Sequence, residues 1–126
     1  MLALILACTK SPPQPAAAVE PLTVYVVRHA EKAGDRGDVP LTEAGEARAQ
    51  ALAARLADVP LRGVHSTDTL RTRSTAAPTA AAHGLEVHLY DPRAPEGLLA
   101  SLEAAGGAHL VVGHSNTVPD LVVRLG

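Results

Sequence analysis

Short apolar runs alternate with longer helix-forming segments along most of this chain, and this alternation limits the fold more than any other feature. The runs cover residues 22–27 (LTVYVV), 62–66 (RGVHS), 85–90 (LEVHLY) and 108–112 (AHLVV). Runs of this kind are typical of buried parallel strands, and strands that alternate with helices form parallel sheets through right-handed crossovers. The 126 residues suffice for one domain. We therefore predict a three-layer α/β/α domain with a mostly parallel sheet.

Capping residues and prolines set the bounds of the predicted helices between these strands. Thr42 is a suitable N-cap for a first helix that runs to about residue 57. The second helix covers 69–83 with a kink at Pro78, and Pro95 and Pro119 begin the third and fourth. The spacing of apolar residues predicts that the first helix buries Ala44, Ala47, Ala51, Leu52 and Leu56.

Composition excludes several classes of protein. Aromatic residues make up 2% of the chain, namely Tyr25 and Tyr90, so a base-stacking nucleic-acid module is not expected. The net charge of −2 lacks the basic surface that binds a phosphate backbone. A single cysteine, Cys8, excludes a disulfide framework and a multi-cysteine metal site. No apolar run approaches the roughly eighteen residues of a membrane span.

The N-terminal segment concerns targeting more than folding. Residues 1–8 (MLALILAC) resemble a bacterial lipoprotein signal, in which a small residue precedes the cysteine that becomes lipidated. Residues 9–21 are rich in proline and alanine and suit an extended tether. We therefore expect a lipid anchor on Cys8, a domain over 22–126, and a location in the bacterial cell envelope, facing the periplasm or the exterior. An incidental cysteine would instead leave the protein in the cytoplasm.

Two histidines and two arginines follow the predicted strands at the same end of the sheet. His29 comes after the first strand with Arg28 directly before it, and His114 comes after the fourth strand. Arg71 lies near the start of the second helix. Ligands of parallel α/β sheets bind beyond the carboxyl ends of the strands, and arginine suits a tetrahedral dianion through charged, bidentate contacts. The other histidines (His65, His83, His88 and His109) lack metal-site spacing, so we expect them to be structural or solvated.

Four motifs in this order carry a family resemblance. They are Arg28-His29-Ala30; Asp38, Pro40, Leu41, Thr42 and Gly45; Ser66, Arg71, Thr75 and Ala76; and the second histidine, His114. Together they resemble the histidine phosphatase superfamily, also called phosphoglycerate mutase-like, in its compact phosphohistidine-phosphatase type. The resemblance implies that His29 becomes phosphorylated while Arg28, Arg71 and His114 hold the phosphoryl oxygens. It implies neither a metal ion nor a cofactor.

The acid that protonates the leaving oxygen is less clear from the sequence. Asp91 follows the third strand, in the region where the family places its acid. Glu96 lies at a helix start, where a carboxylate can serve the helix dipole alone, and Glu31 is close to His29 in sequence. We favour Asp91 and keep the other two open.

The resemblance predicts hydrolysis of phosphomonoesters or phosphohistidine through phosphorylated His29. No segment is long enough to form the cap of family mutases, which favours water as the acceptor, and the lipoprotein-like start favours a small phosphorylated substrate. The alternative is a non-catalytic lipoprotein that binds phosphate or a partner. This alternative arises because family members usually add one or two strands after the helix that here ends at Gly126, so we expect those C-terminal strands to be missing. The sequence leaves the oligomeric state open.

Overall fold

The computed structural model describes residues 20–126, which form four strands and four helices in strict alternation. The elements are β1 (Thr23–Arg28), α1 (Glu43–Arg55), β2 (Leu61–Ser66), α2 (Leu70–Ala82), β3 (Val87–Leu89), α3 (Glu96–Ala105), β4 (Ala108–Gly113) and α4 (Val118–Leu125). The predicted signal, the predicted lipidation site Cys8 and nearly all of the tether lie outside the described residues. Within residues 20–126, no helix combines the length and the hydrophobicity that crossing a bilayer requires.

The sheet is parallel throughout, and its strand order is β1-β4-β2-β3. β4 lies between β1 and β2, so the last strand of the sequence is central in space. Its register brings Arg28 at the end of β1 opposite Gly113 at the end of β4. The carboxyl ends of these strands therefore meet at one edge, and the predicted α/β fold is confirmed.

Two apolar clusters cover opposite faces of the sheet and make the predicted third layer. On one face, residues of α1 and α2 such as Leu56 and Ala76 pack against Val64, Leu110 and Val112 of the strands. On the other face, Leu98, Leu102 and Leu121 of α3 and α4 pack against Val111. Since Leu110 and Val112 face one side of β4 and Val111 faces the other, the alternation of this strand separates the two clusters.

The first helix has the predicted cap but a different buried face. Thr42 accepts a hydrogen bond from the backbone N–H of Gly45 at 3.0 Å, as expected of an N-cap. The predicted face was wrong for Ala44, Ala47 and Ala51, which are exposed, and right for Leu52 and Leu56, which pack inward. The face that packs inward consists of Gly45, Ala49, Leu52, Ala53 and Leu56. Alanines surround this helix on all sides, so hydrophobicity alone does not distinguish one face from another.

The third strand is shorter than the predicted 85–90, because it is paired over only three residues. Gly84 adopts a positive φ of 64° after the end of α2, and Leu85 donates its backbone N–H to the carbonyl of Ala80 at 2.9 Å. This is the hydrogen bond of a Schellman cap, so Leu85 closes the helix and does not join the strand. β3 lies at the edge of the sheet and pairs with β2 alone.

Candidate active site

The backbone and ring of His29 are both fixed where β1 ends. Its backbone N–H donates to the carbonyl of Gly113 at 3.0 Å, which extends the β1–β4 ladder by one bond. Its Nδ1 lies 2.7 Å from the carbonyl oxygen of Ala30. A carbonyl can only accept, so Nδ1 carries the proton and the neutral ring has its lone pair on Nε2. This tautomer leaves Nε2 as a nucleophile.

His114 faces His29 from the end of β4. The ring centroids are 5.6 Å apart, and the planes meet at 64°. Nε2 of His114 lies 2.8 Å from the hydroxyl oxygen of Thr67, and that hydroxyl donates to Thr72 at 2.9 Å. Because the single Thr67 proton is used there, the oxygen accepts from His114 and Nε2 carries hydrogen. Nδ1 of His114 is then the nitrogen left for a ligand.

Arg71 enters the same region from the first turn of α2. Its Nε is buried and has no hydrogen-bond partner among residues 20–126. The hydroxyl of Thr75 accepts from the backbone N–H of Ala30 at 2.9 Å and donates to the carbonyl of Arg71 at 2.8 Å. This contact ties the loop after β1 to the turn that carries Arg71. A buried donor without a protein partner is the arrangement expected where an anion binds.

Both histidines are held in the neutral form. Burial is the largest cause that lowers the pKa of His29, and the positive charges of Arg28, Arg71 and Lys32 lower it further, against the hydrogen bond to Ala30. Burial and the same three cations also lower the pKa of His114. The cations were expected to favour neutral imidazole, but burial contributes more. The charges of Arg28 and Arg71 act on both rings, so these side chains lie in the same region as the two histidines.

The three candidate acids have different surroundings. Asp91 lines a cavity of about 480 Å³ together with His114 and Thr67. Glu31 lies beside His29, but hydrogen bonds from its own backbone N–H and from Arg48, whose guanidinium is 2.7 Å away, lower the pKa of its carboxyl. Glu96 is exposed at the start of α3 and pairs with Arg124 at 3.4 Å.

The loop after His29 is fixed from two sides by the second motif. The backbone N–H of Thr42 donates to the carbonyl of Glu31 at 2.8 Å, and a Cβ on Gly45 would overlap that same carbonyl oxygen. Asp38 accepts from the backbone N–H of Leu70 at 2.6 Å, which places a carboxylate at the N-terminus of α2. These residues therefore position the loop and the helix that carry His29 and Arg71.

Lys32 and Thr67 contribute to the site, although their sequence positions alone did not indicate a role. Lys32 adds a third positive charge near both histidines, and Thr67 holds the ring of His114. Both residues follow strands, at the edge of the sheet where the carboxyl ends of the strands meet. That position was the one feature of the sequence that could have indicated their role. Nothing in the sequence specified the partner of the Thr67 hydroxyl, since His114 is distant along the chain.

The arrangement suits a tetrahedral dianion. It combines one nucleophilic imidazole, a second imidazole with a free nitrogen, and three cations. In the part of the chain that the structure describes, no three His, Cys, Asp or Glu side chains are placed to share a metal ion.

Comparison with known proteins identifies the class. A family model for the histidine phosphatase superfamily (branch 1) matches residues 24–96. The chain therefore belongs to the histidine phosphatase superfamily. The match covers β1 to the start of α3, which includes Arg28, His29, Arg71 and Asp91.

Individual relatives place the chain within that superfamily. A protein of Escherichia fergusonii described as a probable phosphoglycerate mutase, GpmB, is 38% identical over 82 residues, which cover 60% of this chain and 38% of the relative. The chain thus spans less than half the length of that relative. An Agrobacterium tumefaciens structure assigned as a phosphohistidine phosphatase, SixA, is 27% identical, with a TM-score of 0.64 over 82% of this chain and 76% of that one.

Two neighbours with bound ligands have the same fold. The protein histidine phosphatase SixA complexed with tungstate has a TM-score of 0.69 at 24% identity, over 81% of this chain and 75% of that one. A mycobacterial glucosyl-3-phosphoglycerate phosphatase with inorganic phosphate has a TM-score of 0.69 at 18% identity, over 86% and 79% of the two chains. At 24% and 18% identity these likenesses show a shared fold.

Proposed function

We propose that this protein is a metal-independent phosphatase that hydrolyses small phosphomonoesters through a phosphohistidine on His29. One observation carries the proposal: the Nε2 lone pair of His29 and the buried Nε of Arg71 belong to one cluster that also contains His114. Among residues 20–126 that Nε has no hydrogen-bond partner. A nucleophile and phosphoryl-binding groups are the two elements that phosphoryl transfer needs, since catalysis there is mainly positioning and electrostatic stabilisation.

The reaction has two steps. In the first, Nε2 of His29 attacks phosphorus, the P–N bond forms, and the bond to the leaving oxygen breaks as that oxygen receives a proton. In the second, water attacks phosphorus, the P–N bond breaks, and the proton from water returns to the acid. Arg28 and Arg71 stabilise the negative charge on the phosphoryl oxygens in both steps. His114 adds to this when its ring takes up a second proton on binding the dianion, because Nδ1 is then also a donor.

Asp91 is the acid we propose. Its place in the cavity with His114 supports this role. Its carboxylate accepts the backbone N–H of Arg93 at 2.8 Å, whereas Glu31 and Glu96 pair with arginine side chains. A general acid contributes about 10²–10⁴-fold when the leaving group is an alcohol, and far less when it is a stable phenolate. Asp91→Asn should therefore reduce hydrolysis of an alkyl phosphate strongly and of 4-nitrophenyl phosphate slightly. Equal losses on both substrates, or a larger selective loss in Glu31→Gln, would assign the acid elsewhere.

Water is the acceptor we propose, in preference to a second phosphorylated substrate. Arg28 and Asp91 are exposed and the two histidines are only partly buried, so the site is open to solvent. An open site gives water access to the phosphohistidine and offers little to retain a mutase intermediate.

The direct test is hydrolysis of 4-nitrophenyl phosphate by the full chain in EDTA. His29→Ala should abolish it, and Arg71→Ala should lower kcat/KM by about 10²–10³-fold. Arg73→Ala is the matched control, because Arg73 lies on the same helix but is exposed and pairs with Asp68 at 3.5 Å. A folded wild-type protein that binds phosphate yet hydrolyses nothing would refute the proposal in favour of a binding protein.

We further propose that Cys8 is lipidated, that residues 9–21 tether the domain formed by 22–126, and that the protein acts in the bacterial cell envelope. The lipobox-like sequence before Cys8 supports this location. Incorporation of labelled fatty acid into the full chain, lost in Cys8→Ala, is the expected result. Unlabelled protein in the cytoplasmic fraction would contradict it.

A further inference from the structure

A second cavity, of about 530 Å³, lies between α3 and the β2–β3 side of the sheet. We call it the α3 cavity. Its sheet side includes Gly63, His65, His88 and His109, and its helix side includes Gly97 and Ser101. The small side chains of α3 leave the space open, since a Cβ on Gly97 would meet no atom within 4 Å. Its volume is that of a site for a small organic molecule.

The floor of the cavity is a fixed pair of imidazoles. His109 donates from Nε2 to the carbonyl of Gly106 at 2.9 Å, so its Nδ1 accepts from Nε2 of His65 at 3.0 Å. A Cβ on Gly63 would lie 2.7 Å from that Nδ1 and 2.8 Å from that Nε2, so the pair requires glycine at this position. His65 is 8% exposed and His109 3%. With its proton on Nε2, His65 retains an acceptor at Nδ1.

Two residues that line the cavity, Ser101 and Tyr90, donate their hydroxyl hydrogens to backbone carbonyls. Ser101 donates to the carbonyl of Gly97 at 3.0 Å, and Tyr90 donates to the carbonyl of Val112 at 3.0 Å. Burial raises the pKa of Tyr90 to about 12 and lowers that of His65 to about 4, so both stay neutral. The oxygens of Ser101 and Tyr90 and Nδ1 of His65 are therefore acceptors, and Arg62, which also lines the cavity, supplies donors. A hydroxyl group can both donate and accept, so a ligand with several hydroxyl groups matches this lining.

The α3 cavity is continuous with the region of the proposed reaction. Leu89, Tyr90 and Asp91 line both this cavity and the one that contains His114. Asp91, the proposed acid, therefore lies at their junction, between the phosphoryl site and the α3 cavity. A group bound in the α3 cavity is thus placed to be the part of the substrate that leaves.

We propose that the α3 cavity binds the alcohol portion of the substrate and selects an alcohol with several further hydroxyl groups. This inference rests on the proposed function, because it assigns the leaving group of that reaction. An alcohol without donors would leave the acceptors unmatched, and a site built to bind hydroxyl groups discriminates strongly against such an analogue.

The test compares substrates on the full chain. Ribose 5-phosphate supplies hydroxyl groups, phenyl phosphate supplies a ring of similar size without donors, and acetyl phosphate is too small to fill the cavity. We expect ribose 5-phosphate to have the higher kcat/KM of the first two, although phenolate is the better leaving group. A preference for phenyl phosphate would overturn the inference.

Filling the cavity gives the decisive variant. Ser101→Leu places a larger side chain into it from an exposed helix position, and Ala100→Leu is the matched control because Ala100 is exposed and does not line the cavity. Ser101→Leu should lower kcat/KM for ribose 5-phosphate about tenfold or more and leave acetyl phosphate unchanged, whereas Ala100→Leu should change neither. Equal effects on both substrates, or none, would overturn the inference.

A binding measurement separates this inference from the proposed function. In His29→Ala, ribose 5-phosphate should shift the imidazole nitrogen resonance of His65 Nδ1, and inorganic phosphate should not. If wild-type protein hydrolyses no acetyl phosphate, the proposed function fails, yet a selective shift of His65 would still support a polyol site. If ribose 5-phosphate binds and the His65 resonance does not change, the inference that the α3 cavity binds the alcohol is refuted.

Discussion

Acidification should destabilise this protein through one buried histidine, His65. Burial is the largest cause that lowers its pKa to about 4 from the ordinary value of 6.5, and the charges of His109 and His88 lower it further. His65 is therefore neutral in the folded state at pH values where the unfolded chain protonates it. Between pH 6.5 and 4 the unfolded state binds more protons, so the free energy of unfolding falls as the pH falls.

The magnitude follows from the size of the shift. A shift of one pKa unit corresponds to about 1.4 kcal/mol, so a decrease from 6.5 to about 4 gives about 3 kcal/mol for His65. This contribution is fully present above pH 6.5 and is lost progressively down to pH 4. Native domains have net stabilities of about 5–15 kcal/mol, so the loss is a substantial share of the total.

Urea unfolding of the full chain at pH 7.5 and pH 4.5 measures this effect. His65→Gln has no titratable ring and keeps a side-chain N–H donor for His109, so its free energy of unfolding should fall by about 2–3 kcal/mol less than that of wild type over this interval. Titration of the His65 ring by NMR provides an independent check. An unshifted midpoint near 6.5, or the same pH dependence in His65→Gln and wild type, would refute the reasoning.

Three further perturbations probe the site. Thr67→Val removes the hydroxyl that accepts a hydrogen bond from His114 at 2.8 Å. The kcat for an aryl phosphate should therefore fall about tenfold with little change in KM. A change in KM alone would contradict a positioning role for Thr67. Gly45→Ala brings a Cβ into overlap with the carbonyl oxygen of Glu31. Urea unfolding should show a loss of about 1–3 kcal/mol in the free energy of unfolding. Unchanged stability would show that α1 can shift without cost. Because the pKa of His29 is lowered, kcat/KM should persist below pH 6.5 and decline only at lower pH; an acid limb above 6.5 would show that His29 is protonated more easily than its burial implies.

Periodicity and capping predicted the fold well, because strands and caps depend on local sequence. The strand runs, the Thr42 cap and the parallel sheet were all anticipated. The buried face of α1 was anticipated only in part. Leu52 and Leu56 were predicted, but alanine on every side gives no amphipathic contrast, so the inward positions of Gly45, Ala49 and Ala53 were missed. The length of β3 depended on Gly84 and Leu85, whose backbone bonds belong to the preceding helix.

The site was predictable where residue type alone carries the chemistry. His29, Arg28, Arg71 and His114 follow strands or begin a helix at one edge of a parallel sheet, and that edge can be inferred from the order of elements. The order of elements does not predict which residue forms a hydrogen bond with a given hydroxyl group. Thr67 joins a histidine that is remote in sequence, and the imidazole pair below α3 depends on the register of β2 against β4.

Trapping the phosphorylated protein tests the central claim most directly. The full chain is mixed with 4-nitrophenyl phosphate in EDTA, quenched with alkali, in which phosphohistidine survives, and analysed by intact-protein and peptide mass spectrometry. The account predicts a single added phosphoryl group that is located on His29, is lost on acid treatment and is absent in His29→Ala. Hydrolysis that continues in His29→Ala, or a phosphoryl group on any other residue, would contradict it.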